Sequence, residues 1–148
     1  MNLPRLLLAD DHTATRNLLR SLLEPEFDVV EDVTDGQALV VAAKRLSPDV
    51  IVTDISMPGV DGITATAAIL RTDPTARIVL VTIHADRSLV DRGLSTGALG
   101  YVMKLRAGED LVPAVHAALR GERYASQDLA PPRQHDQDVV SGQQRQPS

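Results

Sequence analysis

Asp10, Asp11, Asp54, Thr82 and Lys104 are far apart along the chain, yet each stands at or just after the end of a short apolar run. Their types suit one kind of chemistry. Three acids brought together would repel one another and raise each other's pKa above the ~3.9 of a free Asp. A hard divalent cation relieves that repulsion. Mg²⁺ takes oxygen ligands in an octahedron, keeps several waters and is held by one or two carboxylates. Asp10, Asp11 and Asp54 suit it, with the backbone carbonyl of Ser56 as an additional ligand. A carboxylate can also attack phosphorus and form an acyl phosphate. Phosphoryl transfer needs mainly positioning and neutralisation of charge on the equatorial oxygens. The cation, the Lys104 ammonium and the Thr82 hydroxyl would each contribute.

The runs that must position these groups are Leu6–Ala9, Phe27–Val30, Val50–Thr53, Ile78–Val81 and Leu99–Met103. Four are nearly continuous apolar stretches, as expected of parallel strands buried on both faces. The second alternates and ends in Glu31, as an edge strand would. Helical spacing fills the gaps: Leu18, Leu19, Leu22 and Leu23 before Pro25; Ala38, Ala42 and Leu46 before Pro48; Ile63, Ala67 and Leu70 before Pro74; Leu111, Val115, Ala118 and Leu119 before Gly121. The segment 86–94 is the weakest helix, with a thin apolar face and Gly93 inside it. Five β-α units in a row predict an α/β fold: a doubly wound, five-stranded parallel sheet of order 2-1-3-4-5 with helices on both faces. Ligands gather at the carboxyl ends of such strands, where the order reverses. In that order Asp54 lies between the acid pair on the first strand and the Thr82 and Lys104 side, which makes it the best nucleophile.

The chain has 148 residues, 43% hydrophobic and 24% charged, enough for one globular domain. Aromatics are 2%, so Leu, Val, Ile and Ala must build the core. Cysteine is absent, which excludes disulfides and thiolate-held metals. The net charge of −5 argues against direct nucleic-acid binding. No run approaches the ~20 apolar residues of a membrane span, and the first ten residues lack a signal-peptide pattern. A cytoplasmic location with no membrane contact is expected. After Arg123 the composition turns to Gln, Pro, Ser and charge. The expected division is a domain over 1–121 and a linker-like, disordered tail over 122–148.

Taken singly, these features are bland. Asp10-Asp11 reads as helix capping with Thr13 as the N-cap. Thr82 reads as a β-branched strand residue, Lys104 as a surface lysine, and Tyr101 as a half-buried strand aromatic. Met57-Pro58-Gly59 reads as a turn. His12, His84, His116 and His135 show no metal-ligand spacing. Jointly the features are specific, because the right residue type ends four separate strands.

Asp10-Asp11, Asp54 followed by Met57-Pro58-Gly59-x-Asp61-Gly62, Thr82, and Gly100-Tyr101-x-x-Lys104 together resemble the receiver domain of two-component response regulators. The resemblance covers about residues 3–121. It implies a flavodoxin-like (CheY-like) fold with Asp54 as phospho-acceptor and Asp10 and Asp11 as Mg²⁺ holders. It further implies that Lys104 contacts the phosphoryl group, Thr82 is the switch hydroxyl, and Tyr101 is the aromatic that turns inward on activation. The switching surface would be the fourth helix, fifth strand and fifth helix. The implied partners are a sensor histidine kinase as phosphodonor, a downstream protein that the sequence does not identify, and a second copy of the chain. That copy would dock through the switching surface or through the first and fifth helices. Such a chain is no enzyme beyond self-catalysed phosphorylation and dephosphorylation.

Leu105, where many receivers have proline, and the ending Gly121-Glu122-Arg123-Tyr124 are most similar to the NarL/FixJ type, here expected to lack its LuxR-type helix-turn-helix output domain. Ile83 replaces a usually small residue and would narrow access to Asp54. His84 and Ser56 occupy positions that influence dephosphorylation in the family. Two other readings compete: a degenerate receiver acting only as an interaction module, and the receiver half of a truncated DNA-binding regulator. An aspartyl-nucleophile phosphatase is disfavoured, because its D-x-D signature is replaced by adjacent acids.

Overall fold

A computed structural model describes residues 2–83 and 86–126. The strands are β1 (Arg5–Ala9), β2 (Asp28–Val33), β3 (Val50–Asp54), β4 (Ile78–Thr82), β5 (Gly100–Met103) and β6 (Tyr124–Ala125). Between them lie α1 (Thr13–Leu23), α2 (Gly36–Leu46), α3 (Gly62–Thr72), α4 (Arg87–Ser95) and α5 (Ala107–Leu119), with a 3₁₀ turn at Lys104–Arg106. All strand pairs are parallel and the order is β2-β1-β3-β4-β5-β6. The five expected strands and their order are found, with β2 at one edge.

The sheet has six strands, not five. Tyr124–Ala125 pairs with Gly100–Tyr101 in the stretch assigned to a tail from residue 122. Ser126 is also packed, at 1% exposure. The rest of that stretch, residues 127–148 including His135, lies outside the described residues, as does His84.

Alternation along the strands divides the core in two. Leu6, Leu8, Val50, Val52, Val79 and Val81 face α1 and α5, where Leu19, Leu23, Leu111 and Val115 meet them. Leu7, Ala9, Ile51, Ile78, Leu80 and Tyr101 face the opposite way, onto Leu39 of α2, Ile63 and Ile69 of α3, and Val90 of α4. Successive side chains of a strand point to opposite faces, so a continuous apolar run serves both layers. Among the described residues no helix is long and apolar enough to cross a membrane.

The weak helix at 86–94 does form, over Arg87–Ser95. Its start is fixed by Asp86, whose carboxylate accepts from the backbone N–H groups of Ser88 and Leu89. Such a cap satisfies amides that the first turn leaves unpaired.

Candidate functional site

Strand register brings the chemistry-bearing residues to one rim. Ala9 pairs with Thr53, so Asp10 and Asp54 follow side by side. Asp54 pairs with Val81, which places Thr82 one step further. Thr82 pairs with Met103, and Lys104 begins the 3₁₀ turn immediately after it. The loop beyond Asp54 is held close by Gly62. Its N–H donates to the Ile55 carbonyl at 2.8 Å, and a Cβ there would lie 2.0 Å from the Asp54 carbonyl oxygen. Only glycine permits that approach. Gly59 takes φ +72° in the turn, and Asp61 caps α3 by accepting from the Thr64 N–H at 2.7 Å.

Lys104 Nζ lies 3.0 Å from Asp10 Oδ2 and 3.1 Å from Asp54 Oδ2. Both carboxylates are buried. The Asp54 contact is a hydrogen bond. The Asp10 contact is an ion pair. Asp11 Oδ1 is buried without a hydrogen bond among the described residues, although His12 Nδ1 stands 3.1 Å from it. Asp10 Oδ1 accepts from the His12 N–H at 2.9 Å, and the Ser56 N–H reaches Asp54 Oδ1 at 3.3 Å. Burial pushes the Asp54 carboxyl above its ordinary value, and Lys104 only partly opposes this. Burial works against the Lys104 charge too, but Asp10 and Asp54 outweigh it and hold the ammonium above the ordinary lysine value.

The bland reading of the acid pair as a cap around Thr13 fails, because Thr13 is not the N-cap of α1. His12 holds that position and no side chain caps the helix. The acid pair is therefore not spent on capping. His12 also belongs to the cluster, since donor atoms of Asp10, Asp11, His12 and Asp54 all lie within 4.8 Å of one another. Its adjacency to the acid pair was the available signal. An open cleft of about 520 Å³ adjoins the cluster, lined by Asp11, His12, Ser56, Met57, Pro58 and Asp61 among others.

Thr82 ends β4, buried. Ile83 is 60% exposed, turned to solvent rather than packed over the acids. Tyr101 is fully buried, not half-buried, and among the described residues its hydroxyl has no hydrogen-bond partner. Burial pushes that hydroxyl up to about 12, and the Asp86 charge adds to the shift. The inward ring fits because Gly93 of α4 has no side chain. A Cβ there would come within 2.6 Å of Tyr101 Cε2. The acids, the lysine and the threonine are thus brought to one end of the sheet, and Tyr101 packs on the face that α4 covers.

The sequence profile of the response regulator receiver domain matches residues 6–116. The chain belongs to this family. DegU, a transcriptional regulatory protein of Brevibacillus brevis, is 37% identical over 122 residues, covering 81% of this chain and 52% of DegU. Curated relatives of this kind are spanned over 52% to 71% of their own length. A LuxR-family response regulator of an Aurantimonas species superposes with a TM-score of 0.84 at 33% identity, over 95% of this chain and all of that one. The isolated receiver domain of RcsB from Salmonella enterica, solved in the presence of the phosphomimetic BeF₃⁻, gives 0.79 at 30% identity over 86% of this chain and 96% of that one. The receiver is homologous to those of NarL/FixJ/LuxR-type regulators. Receiver domains bind Mg²⁺ at an acidic pocket and are phosphorylated by sensor histidine kinases.

Proposed function

We propose that this receiver accepts a phosphoryl group on Asp54 from a sensor histidine kinase and carries the change to the α4-β5-α5 surface. The observation that supports it most is the Lys104 ammonium shared between the buried carboxylates of Asp10 and Asp54, with Asp11 in the same cluster. Three acids and one lysine leave a net negative pocket, which a divalent cation would balance. Asp10, Asp11 and Asp54 would hold Mg²⁺, with the Ser56 carbonyl as a further ligand. An all-oxygen set suits Mg²⁺ better than one including the His12 imidazole. When bound, the ion neutralises charge on phosphoryl oxygens.

The rest is done by the chain. An Asp54 carboxylate oxygen forms the bond to phosphorus as the bond to the donor nitrogen breaks, and the electron pair leaves with that nitrogen. Lys104 exchanges its contact with Asp54 Oδ2 for a phosphoryl oxygen, while Asp10 keeps it oriented. Thr82 supplies a hydroxyl donor from β4. The new group carries about −2 charge and draws that hydroxyl inward. Thr82 and Tyr101 lie on adjacent strands, and α4 packs on Tyr101 through Gly93, so the pull reaches the surface. Phosphate need only bias a pre-existing equilibrium of that surface.

Incubation with acetyl phosphate and Mg²⁺ should give one phosphoryl adduct by intact mass, abolished by EDTA and by Asp54→Asn. An adduct that survives the substitution would reject Asp54. No adduct under any condition would favour the degenerate interaction module.

A further inference from the structure

Asp110, in the first turn of α5, is 6% exposed and takes no part in the acid cluster. An acid there favours the helix dipole at any exposure, which does not account for its burial. Its partners do. Oδ2 accepts from Arg106 Nε at 2.9 Å and from the Ser126 hydroxyl at 2.8 Å, and Oδ1 accepts from the Tyr124 hydroxyl at 2.8 Å. The Ser126 oxygen in turn accepts from the Met103 N–H at 3.0 Å. The Ser126 N–H donates to the Tyr101 carbonyl at 2.9 Å. Lys104 therefore sits on a turn tied at both ends: Met103 to Ser126 before it, Arg106 to Asp110 after it.

We propose that Asp110 and Ser126 are positioning residues for Lys104, so that the segment following α5 is built into the phospho-acceptor site. This rests on the reading of Asp54 as acceptor. The Ser126 hydroxyl has one proton and gives it to Asp110, so its lone pairs are committed to the Met103 amide. Loss of the hydroxyl strips that amide of its acceptor and releases the near end of the turn. Loss of the Asp110 charge weakens the far end. The Lys104 ammonium reaches Asp10 and Asp54 from a fixed backbone origin, and misplacement by about 1 Å costs on the order of 10²-fold in a positioned reaction. Coupling of this kind is reciprocal. Movement of Lys104 toward a phosphoryl oxygen loads the same bonds and is felt at Tyr124–Ser126, where the chain leaves the sheet.

Four full-length proteins separate positioning from mere stability: parent, Ser126→Ala, Asp110→Asn and Tyr124→Phe. Tyr124→Phe removes a bond of the same kind, but from Oδ1 and away from the turn. With acetyl phosphate and Mg²⁺, Ser126→Ala and Asp110→Asn should phosphorylate at least about tenfold more slowly, with Mg²⁺ affinity by thermal shift unchanged. Tyr124→Phe should keep the parent rate although its melting temperature falls. Equal rates in Ser126→Ala and parent, or equal slowing in Tyr124→Phe and Ser126→Ala, would overturn the clamp. If Asp110→Asn does not fold, Ser126→Ala decides alone. Failure of the parent to take phosphate rejects the Asp54 reading and the clamp with it, whereas a competent parent with an unaffected Ser126→Ala rejects the clamp only.

Discussion

Asp54→Asn should stabilise the metal-free protein and weaken the stabilisation that Mg²⁺ provides. Donor oxygens of Asp10, Asp11 and Asp54 lie within 4.8 Å of one another. At an effective dielectric of 20, unit charges at that distance repel by about 3.5 kcal/mol. Asp54 feels two such repulsions, the one from partly exposed Asp11 reduced by solvent. Lys104 at 3.1 Å offsets them by about 5.4 kcal/mol. The charge–charge effects nearly cancel, and burial of the Asp54 carboxylate tips the balance. Its carboxyl is held above the ordinary value, so its stabilising contribution is fully present below about pH 3.9 and lost as pH rises through the folded-state value. At neutral pH the Asn variant, with Lys104 still 3.0 Å from Asp10, should gain about 1–2 kcal/mol. That is a rise of about 3–6 °C in Tm for a chain of this size. Mg²⁺ at a hundred times its Kd adds about 2.7 kcal/mol to the parent and less to the variant, which has lost a ligand. Calorimetry in EDTA and in Mg²⁺ should therefore show the order of the two proteins reversing, and the gap in EDTA closing at acid pH. A variant that melts below the parent in EDTA, or an equal gain from Mg²⁺ in both, would refute the reasoning.

Gly93→Ala should cost about 1–3 kcal/mol by overpacking against Tyr101 and Leu80, less the ~1 kcal/mol that alanine returns to a helix. A double-mutant cycle with Tyr101→Leu in urea should recover most of the loss. Tyr101→Phe should be neutral or stabilising by up to about 1 kcal/mol, because it removes a buried hydroxyl without a partner; a clear loss would mean the hydroxyl has a role. Burial works against the Asp110 charge, but Tyr124, Ser126 and Arg106 together hold its carboxyl below the ordinary value. Its contribution is present above about pH 3.9 and lost as pH falls through the lower folded-state value, so Asp110→Asn should flatten the acid limb of a stability–pH curve measured by urea midpoints.

The sheet was legible because its strands are buried on both faces. A run such as Leu6-Leu7-Leu8-Ala9 has to satisfy two cores at once, and that requirement writes itself as unbroken hydrophobicity. The pocket was legible for a related reason. Parallel strands end on one rim, so residues that end the runs must converge. The start of α4 was less visible: its apolar face is thin, and its main local support is the Asp86 cap. His12 is hard to see in the sequence because the histidines have no ligand spacing among themselves, while its relevant neighbours are the two acids beside it.

The sixth strand was invisible for a different physical reason. Composition averages over a window, and a window after Arg123 is dominated by polar residues that bury little. Yet Tyr124 and Ser126 do not depend on their neighbours in sequence. What orders them is a carboxylate one helix earlier, at Asp110, and two backbone groups of β5, the Met103 amide and the Tyr101 carbonyl. A hydrogen bond to a charged group is worth about 1.5–3 kcal/mol, enough to order a few residues where apolar burial is small. Hydrophobic burial leaves a periodic trace that a single sequence reveals. A polar clamp leaves none, because either half alone reads as a solvated surface residue. A boundary drawn by hydropathy in this chain thus stops before Tyr124 and Ser126, and a version of this chain ending at Arg123 should fold with its acids in place yet phosphorylate slowly, which intact-mass kinetics on that truncation would test.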